Sequence, residues 1–118
     1  MFESTLKQLV DKVDGAQGAA VLNLDGLIIE AVDGAGEAVA TAEALSEHGL
    51  IVRQLLDIGD AADLGKVGQL TIEGQDRTTL IRQLDDQYIA ALQVGSGSIV
   101  GKAHFYLRIA APDLAREL

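Results

Sequence analysis

Apolar and polar residues follow one another along this chain with two different periods, and each change of period marks an element. Apolar residues at helical spacing predict helices over residues 2–13, 37–58 and 99–117, the second being the longest. Shorter apolar runs, bounded by glycine and polar residues, predict strands. These runs cover residues 18–24, 27–32, 66–73, 77–84 and 88–94. The predicted order is therefore α-β-β-α-β-β-β-α.

The segments between the strands predict an antiparallel arrangement. Asp25-Gly26 separates the first two strands, which is typical of a hairpin closed by a type I′ turn. Short polar segments at 74–76 and 85–87 join the last three strands in the manner of a meander. The strand over 88–94 is almost wholly apolar, so we expect it at the centre of the sheet, covered on both faces.

The long helix has more apolar surface than one contact with its own sheet requires. Its bulkier apolar side contains Ala40, Ala44, Ile51, Leu55 and Ile58, and its smaller side contains Ala38, Ala42, Leu45, Gly49, Val52 and Leu56. We assign the bulky side to the sheet and the small side to the same helix of a second copy, which glycine and alanine would let approach closely. The alternative is a helix buried entirely within its own subunit.

Composition narrows the function classes. With 118 residues the chain forms one domain, over residues 1–118, and its lack of cysteine excludes disulfides and thiol chemistry. The N-terminus lacks the pattern of a signal peptide, and we expect a cytoplasmic protein. The net charge of −9 opposes binding to nucleic acids and to anionic membranes. The acidity indicates either simple solubility or a basic partner.

No motif predicts a catalytic, cofactor or metal site. The glycines between Gly95 and Gly101 resemble a dinucleotide-binding turn but lack a following strand, so we expect a connection whose helix is capped by Ser98. His48 and His104 cannot form a closed zinc site by themselves. The adjacent acids Asp85 and Asp86 are typical of a solvated turn.

The sequence from Val13 to Leu27, VDGAQGAAVLNLDGL, together with the order of elements, resembles the Roadblock family. This family includes dynein light chains and MglB-type bacterial regulators of small GTPases. The resemblance implies a five-stranded antiparallel sheet with the long helix on one face and the terminal helices on the other. It also implies a dimer in which the long helices pair and the two sheets join through the strand at 66–73.

We therefore expect a homodimeric, non-catalytic adaptor or regulator that binds a small Ras-like GTPase. The predicted dimer and partner interface consists of Ala38, Ala42, Leu45, Ser46, Gly49, Leu50, Val52, Arg53 and Leu56. Within it, Arg53 is a candidate docking contact for the GTPase and Leu50 its apolar anchor. One alternative is a structural subunit of a larger multi-Roadblock or motor-associated complex. Another is a small enzyme or ligand-binding protein of a profilin-like fold, which would require a polar pocket that the sequence does not indicate.

Overall fold

The computed structural model describes residues 2–34 and 49–118. Within them the chain forms three helices: α1 (Phe2–Lys12), α2 (Gly49–Ala61) and α3 (Val100–Arg116). It also forms five strands: β1 (Ala16–Asn23), β2 (Ile28–Asp33), β3 (Gln69–Glu73), β4 (Arg77–Gln83) and β5 (Tyr88–Gly95). The predicted order of elements is confirmed. Residues 37–48 of the predicted long helix lie outside the described residues, and residues 49–58 are helical as predicted.

The five strands form one sheet in the order β2-β1-β5-β4-β3, and every neighbouring pair is antiparallel. The strand β5 lies at the centre, as its apolar sequence predicts, and its residues from Ile89 to Val94 are buried. In the register of the sheet, Ala91 of β5 lies between Ala20 of β1 and Ile81 of β4. Alternate residues of β5 therefore contribute to the two faces of the sheet.

The larger core lies between the sheet and the two terminal helices. The apolar face of α1 contributes Phe2, Leu6, Leu9 and Val10, and α3 contributes Ala103, Leu107, Ala110 and Leu114. These side chains pack on Ala19, Val21, Val32, Leu80, Ala90, Leu92 and Val94 of the sheet. Alanine, valine and leucine from both the helices and the strands fill this layer, and Phe2 is its one buried aromatic side chain among the described residues.

The second core lies on the opposite face of the sheet, under α2. Val52 of α2 is 1% exposed and packs with Ala20, Leu22, Ile81, Ile89 and Ala91. The expectation that the long helix covers one face and the terminal helices the other is therefore confirmed for the described residues.

The β1–β2 hairpin is confirmed, but its turn is not of type I′. Positive φ occurs at Gly26 (+88°) and not at Asp25. The amide of Gly26 donates to the carbonyl oxygen of Asn23, and the side-chain oxygen of Asn23 accepts from the amides of Asp25 and Leu27 at 3.0 and 2.9 Å. A three-residue loop of this kind needs only one residue with positive φ, and glycine supplies it.

The register of β2 against β1 shifts next to this hairpin. Val21 pairs with Glu30 and Leu22 with Ile28, so that Ile29 is an additional residue on the edge strand. This is a β-bulge, and Ile29 is 38% exposed there. A bulge bends an edge strand and interrupts its hydrogen-bonding ladder.

The closing helix α3 contains a proline and has a different N-cap from the predicted one. α3 continues without a break across Pro112, because the proline is exposed and lies one turn from the end, while Ala110, Ala111 and Leu114 keep that turn packed. Proline has no amide hydrogen, so the carbonyl oxygen of Arg108 loses its usual helical donor. The N-cap is Ile99 and carries no side-chain cap bond; the predicted cap, Ser98, instead lies next to Gly15.

Gly15 is required by both its conformation and its surroundings. Its φ is +82°, and a Cβ atom placed there would lie 2.1 Å from the hydroxyl oxygen of Ser98. We expect Gly15→Ala to lower the free energy of unfolding by about 1–2 kcal/mol, the cost of a left-handed conformation for an L-residue. Urea denaturation of the variant and of the parent protein measures this difference in the free energy of unfolding.

The matched control is Gly101→Ala in α3, where nothing lies within 4 Å of the added carbon. This substitution should raise the free energy of unfolding by about 0.5–1 kcal/mol through helix propensity. Equal effects of the two substitutions would contradict the analysis of Gly15.

Candidate interaction surface

The outward side of α2 carries bulky apolar residues. Leu55 is 37% exposed and Ile58 is 52% exposed, and the two lie three residues apart on one side of the helix. The polar residues Arg53, Gln54 and Asp57 are exposed beside them. In the described part of the chain, no other element covers Leu55 and Ile58 fully.

This arrangement reverses the predicted assignment of the two sides of the helix. Val52 was predicted to face a partner, but it is buried against its own sheet, whereas Leu55 and Ile58 were predicted to face the sheet and are exposed. The physical reason is that the sheet already supplies the bulk on this face. Leu22, Ile81 and Ile89 project under the helix, so a valine on the helix completes the layer.

Gly59 fixes which side of α2 faces inward. It is buried seven residues after Val52, and a Cβ atom there would lie 2.2 Å from a methyl carbon of Val67. The helix then ends in a Schellman motif, in which the amide of Leu64 donates to the carbonyl oxygen of Gly59 at 2.9 Å and Asp63 has φ +60°. The end of α2 is thus held beside the residues that lead into β3.

The strand β3 forms an exposed edge of the sheet. Within residues 2–34 and 49–118 it pairs only with β4, and four of its five residues are exposed. Leu70 packs at the margin of the core under α2, and Ile72, which follows two residues later on the same face, is 40% exposed. An open ladder of backbone groups therefore adjoins an exposed apolar side chain on the α2 face.

Arg53 lies on the other flank of α2, where it contacts the β1–β2 hairpin. Its guanidinium donates to the carboxylate of Asp25 at 2.8 Å, with both side chains more than half exposed. The pair borders a cleft of about 290 Å³ that is also lined by Asp86, Gln87 and Tyr88. None of the buried polar atoms that lack a partner in the described residues belongs to this cleft.

His104 of α3 contacts β3 from the opposite face of the sheet. Its Nε2 atom lies 2.8 Å from the hydroxyl oxygen of Thr71, and its Nδ1 atom is buried without a hydrogen-bond partner. Burial, and secondarily the positive charge of Arg82, lower the pKa of His104 below its usual value of 6.5. The hydrogen bond between this imidazole and Thr71 joins α3 to the edge strand.

The structure places the predicted interface residues as follows. Ala38, Ala42, Leu45 and Ser46 lie outside the described residues, whereas Gly49, Leu50, Val52, Arg53 and Leu56 lie on α2. Among these, Val52 is buried in its own subunit and Arg53 is exposed. The sequence reasoning missed Leu55, Ile58 and Ile72 as exposed apolar residues. Gly59, seven residues after Val52, was the signal that identifies the inner side.

Other predicted candidates behave as structural elements. Asp85 closes the β4–β5 turn, its carboxylate accepting from the amides of Gln87 and Tyr88 at 2.8 Å each.

No group of three or more potential metal ligands occurs in the described residues. The glycine-rich segment after β5 borders a cavity of about 400 Å³ at the start of α3, in an antiparallel sheet. No helix within the described ranges has both the length and the apolar character needed to cross a bilayer.

Comparison with solved structures identifies the fold. The structure superimposes on MglC from Myxococcus xanthus with a TM-score of 0.76 and 22% identity, covering 99% of this chain and 98% of that one. A Roadblock/LC7 domain from Streptomyces avermitilis gives a TM-score of 0.83 and 14% identity, with 98% and 95% covered. An MglB in a tetrameric arrangement gives a TM-score of 0.84 and 13% identity, covering 96% of this chain and 84% of that one.

The expected resemblance to the Roadblock family is thus confirmed at the level of the fold. No family model matches the sequence, and a search of curated proteins finds no match.

The contact of His104 predicts a pH dependence of stability. Because its folded pKa lies below 6.5, the unfolded chain binds a proton first as the pH falls. At pH values above the pKa of this histidine in the unfolded chain, about 6.5, the contribution of His104 to the free energy of unfolding should be constant. As the pH falls from about 6.5 towards the pKa in the folded protein, the free energy of unfolding should decrease. Urea denaturation between about pH 7.5 and 5.5 measures this dependence, with most carboxylates still charged.

The experiment uses a His48→Gln background, so that only His104 titrates among the histidines. Adding His104→Gln should flatten the profile over the same pH range. A slope that persists in the double variant would assign the effect to other groups.

Proposed function

We propose that this chain, which has the Roadblock/LC7 fold, acts as a homodimeric and non-catalytic adaptor or regulator that binds a small Ras-like GTPase in the cytoplasm. The observation that carries the proposal is the surface formed by Leu55 and Ile58 of α2 and by the edge strand β3 with Ile72. We call these residues and the β3 edge the α2/β3 surface.

Two properties of the α2/β3 surface support self-association. Covering a leucine or isoleucine side chain fully is worth about 1.5–3 kcal/mol, so leaving Leu55 and Ile58 in water is unfavourable. Within the described residues, the outer edge of β3 has no neighbouring strand and offers its backbone donors and acceptors. A second copy related by a two-fold axis would pair its β3 strand antiparallel to this one and continue the sheet across the contact.

The GTPase part of the proposal rests on the fold and on the exposed polar flank of α2. Arg53 is tied to Asp25 by an exposed ion pair, and such pairs contribute little to stability, so a partner can replace either group at small cost. We assign Arg53 to docking and no catalytic role to this chain. Leu50 remains the predicted apolar contact beside it.

A second candidate is a structural subunit of a larger assembly. One of the solved structures with this fold, an MglB, is described with a tetrameric arrangement, which favours associations beyond a dimer for that protein. For this chain, the two candidates differ in whether a GTPase is bound.

We expect Leu55→Ser combined with Ile58→Ser to weaken self-association at least tenfold, because truncating two central apolar side chains removes a large share of the binding free energy. Size-exclusion chromatography with light scattering over a dilution series measures the mass. Because both side chains are also partly buried in the subunit, the double variant should lose some stability but remain folded.

The matched control is Ile99→Ser, which removes an apolar side chain that is 70% exposed just before α3. This variant should keep the mass of the parent protein. A monomeric parent protein, or a double variant with unchanged dissociation, would contradict the homodimer.

Capture of small GTPases tests the partner. The tagged protein is incubated with purified endogenous Ras-like GTPases loaded with GDP or with a non-hydrolysable GTP analogue. We expect binding that prefers one nucleotide state and that decreases in the Leu55→Ser, Ile58→Ser variant. Absence of binding in both states would leave the structural-subunit candidate.

A further inference from the structure

The outer side of α3 carries a second apolar surface, on the face of the sheet opposite to α2. Phe105 is 47% exposed and Ile109 is 50% exposed, and Pro112 continues the same side of the helix. The spacing of Lys102, Phe105, Ile109, Pro112 and Arg116 places all five on one side of α3. We call these five residues the α3 outer row.

The apolar part of the α3 outer row is held in place by its neighbours. The ring of Phe105 packs edge-to-face against Tyr106, with centroids 5.3 Å apart and planes at 75°. Tyr106 and Ile109 in turn line a small depression between α1 and α3, together with Leu9 and Lys12 of α1. A side chain that is already ordered loses less conformational entropy when a partner covers it.

Positive charges surround this apolar surface in an otherwise acidic protein. The net charge of the chain is −9, yet α3 has three basic residues and only one acidic residue. Within the described residues, Lys12, Lys102 and Arg108 are exposed and form no ion pair, whereas Arg116 is paired with Asp113. By helical spacing, Lys102 lies one turn before Phe105 and Arg108 lies beside it, while Lys12 of α1 borders the depression next to Ile109.

We infer that the α3 outer row docks an acidic amphipathic segment of a partner protein. Apolar residues of the segment would cover Phe105 and Ile109, and its carboxylates would contact Lys12, Lys102 and Arg108. The carbonyl oxygen of Arg108 lacks its usual helical donor because of Pro112, so it would be a further acceptor for the segment. This docking goes beyond the proposed function, which concerns the opposite face.

The charge of the protein argues against two other occupants of the α3 outer row, a second copy of this chain and an anionic membrane. A second copy docked by its own α3 outer row across a two-fold axis would bring Lys102 and Arg108 close to the same cations of its partner. An anionic membrane attracts the cations of α3 but repels the chain as a whole, because its net charge is −9. An acidic segment of limited length meets only the local positive charge.

The probe is a fluorescein-labelled synthetic helical peptide built of leucine on one side and glutamate on the other. Two control peptides replace either every glutamate by glutamine or every leucine by serine. Fluorescence anisotropy with the full chain should show binding of the Leu/Glu peptide, weaker by at least tenfold for each control peptide. Binding should also weaken between about 50 and 300 mM salt, because screening reduces exposed charge pairs.

Variants of the protein locate the site. Phe105→Ser with Ile109→Ser should lower the affinity at least tenfold, and Arg108→Glu should lower it by a similar factor. The matched control, Leu64→Ser, removes an apolar side chain that is 73% exposed in the connection after α2 and should bind as the parent does. Amide chemical shifts in the nuclear magnetic resonance spectrum should change along α3 and at Lys12.

Several outcomes would overturn the inference. The first is that the Leu/Glu peptide does not bind. The second is that all variants bind it with affinities within twofold of the parent protein. The third is that the chemical-shift changes are confined to α2 or β3. Cosedimentation with phosphatidylserine vesicles that is lost in the Phe105→Ser, Ile109→Ser variant would assign the surface to lipid instead. A reduced dimer mass in that variant would assign it to a second copy. Because the GTPase experiment uses variants of α2, failure of either proposal is distinguishable from failure of the other.

Discussion

The architecture depends on the burial of β5 on both faces. Its inner residues, from Ile89 to Val94, pack against α1 and α3 on one side and under α2 on the other. The strand β5 thus contributes side chains to both cores. Because aromatic residues make up only 3% of the chain, stability comes from dense contacts among alanine, valine and leucine. With the centre so filled, the edges and outer helix sides are left to interact with other molecules.

Much of the fold could be predicted because local pattern and tertiary structure agree. The strand ends lie within a few residues of their predicted positions, and the apolar run at 88–94 correctly identified the central strand. The turn at Gly26 was harder, since its type depends on the side chain of Asn23, which accepts two backbone amides. Periodicity locates a hairpin, but hydrogen bonds to the turn decide its geometry.

The orientation of α2 could not be obtained from helical periodicity alone. Two apolar sides on one helix are equivalent in a helical wheel, and the choice depends on the volume that the sheet already supplies. Leu22, Ile81 and Ile89 supply it here, so Val52 faces inward and Leu55 and Ile58 remain outside. The sequence analysis assigned Val52 to a partner and Leu55 and Ile58 to the sheet, and the structure places these three residues the other way round.

The two edges of the sheet are unequal. At β2 the additional residue Ile29 bends the strand, and the acidic side chain of Glu30 follows it. At β3 the pairing with β4 is regular over all five residues. Edge pairing is thus favoured at β3 and hindered at β2, so in the proposed dimer a second copy added at β3 would leave only the two bulged β2 edges at the ends of the joined sheet. A chain built in this way can associate without forming a fibre.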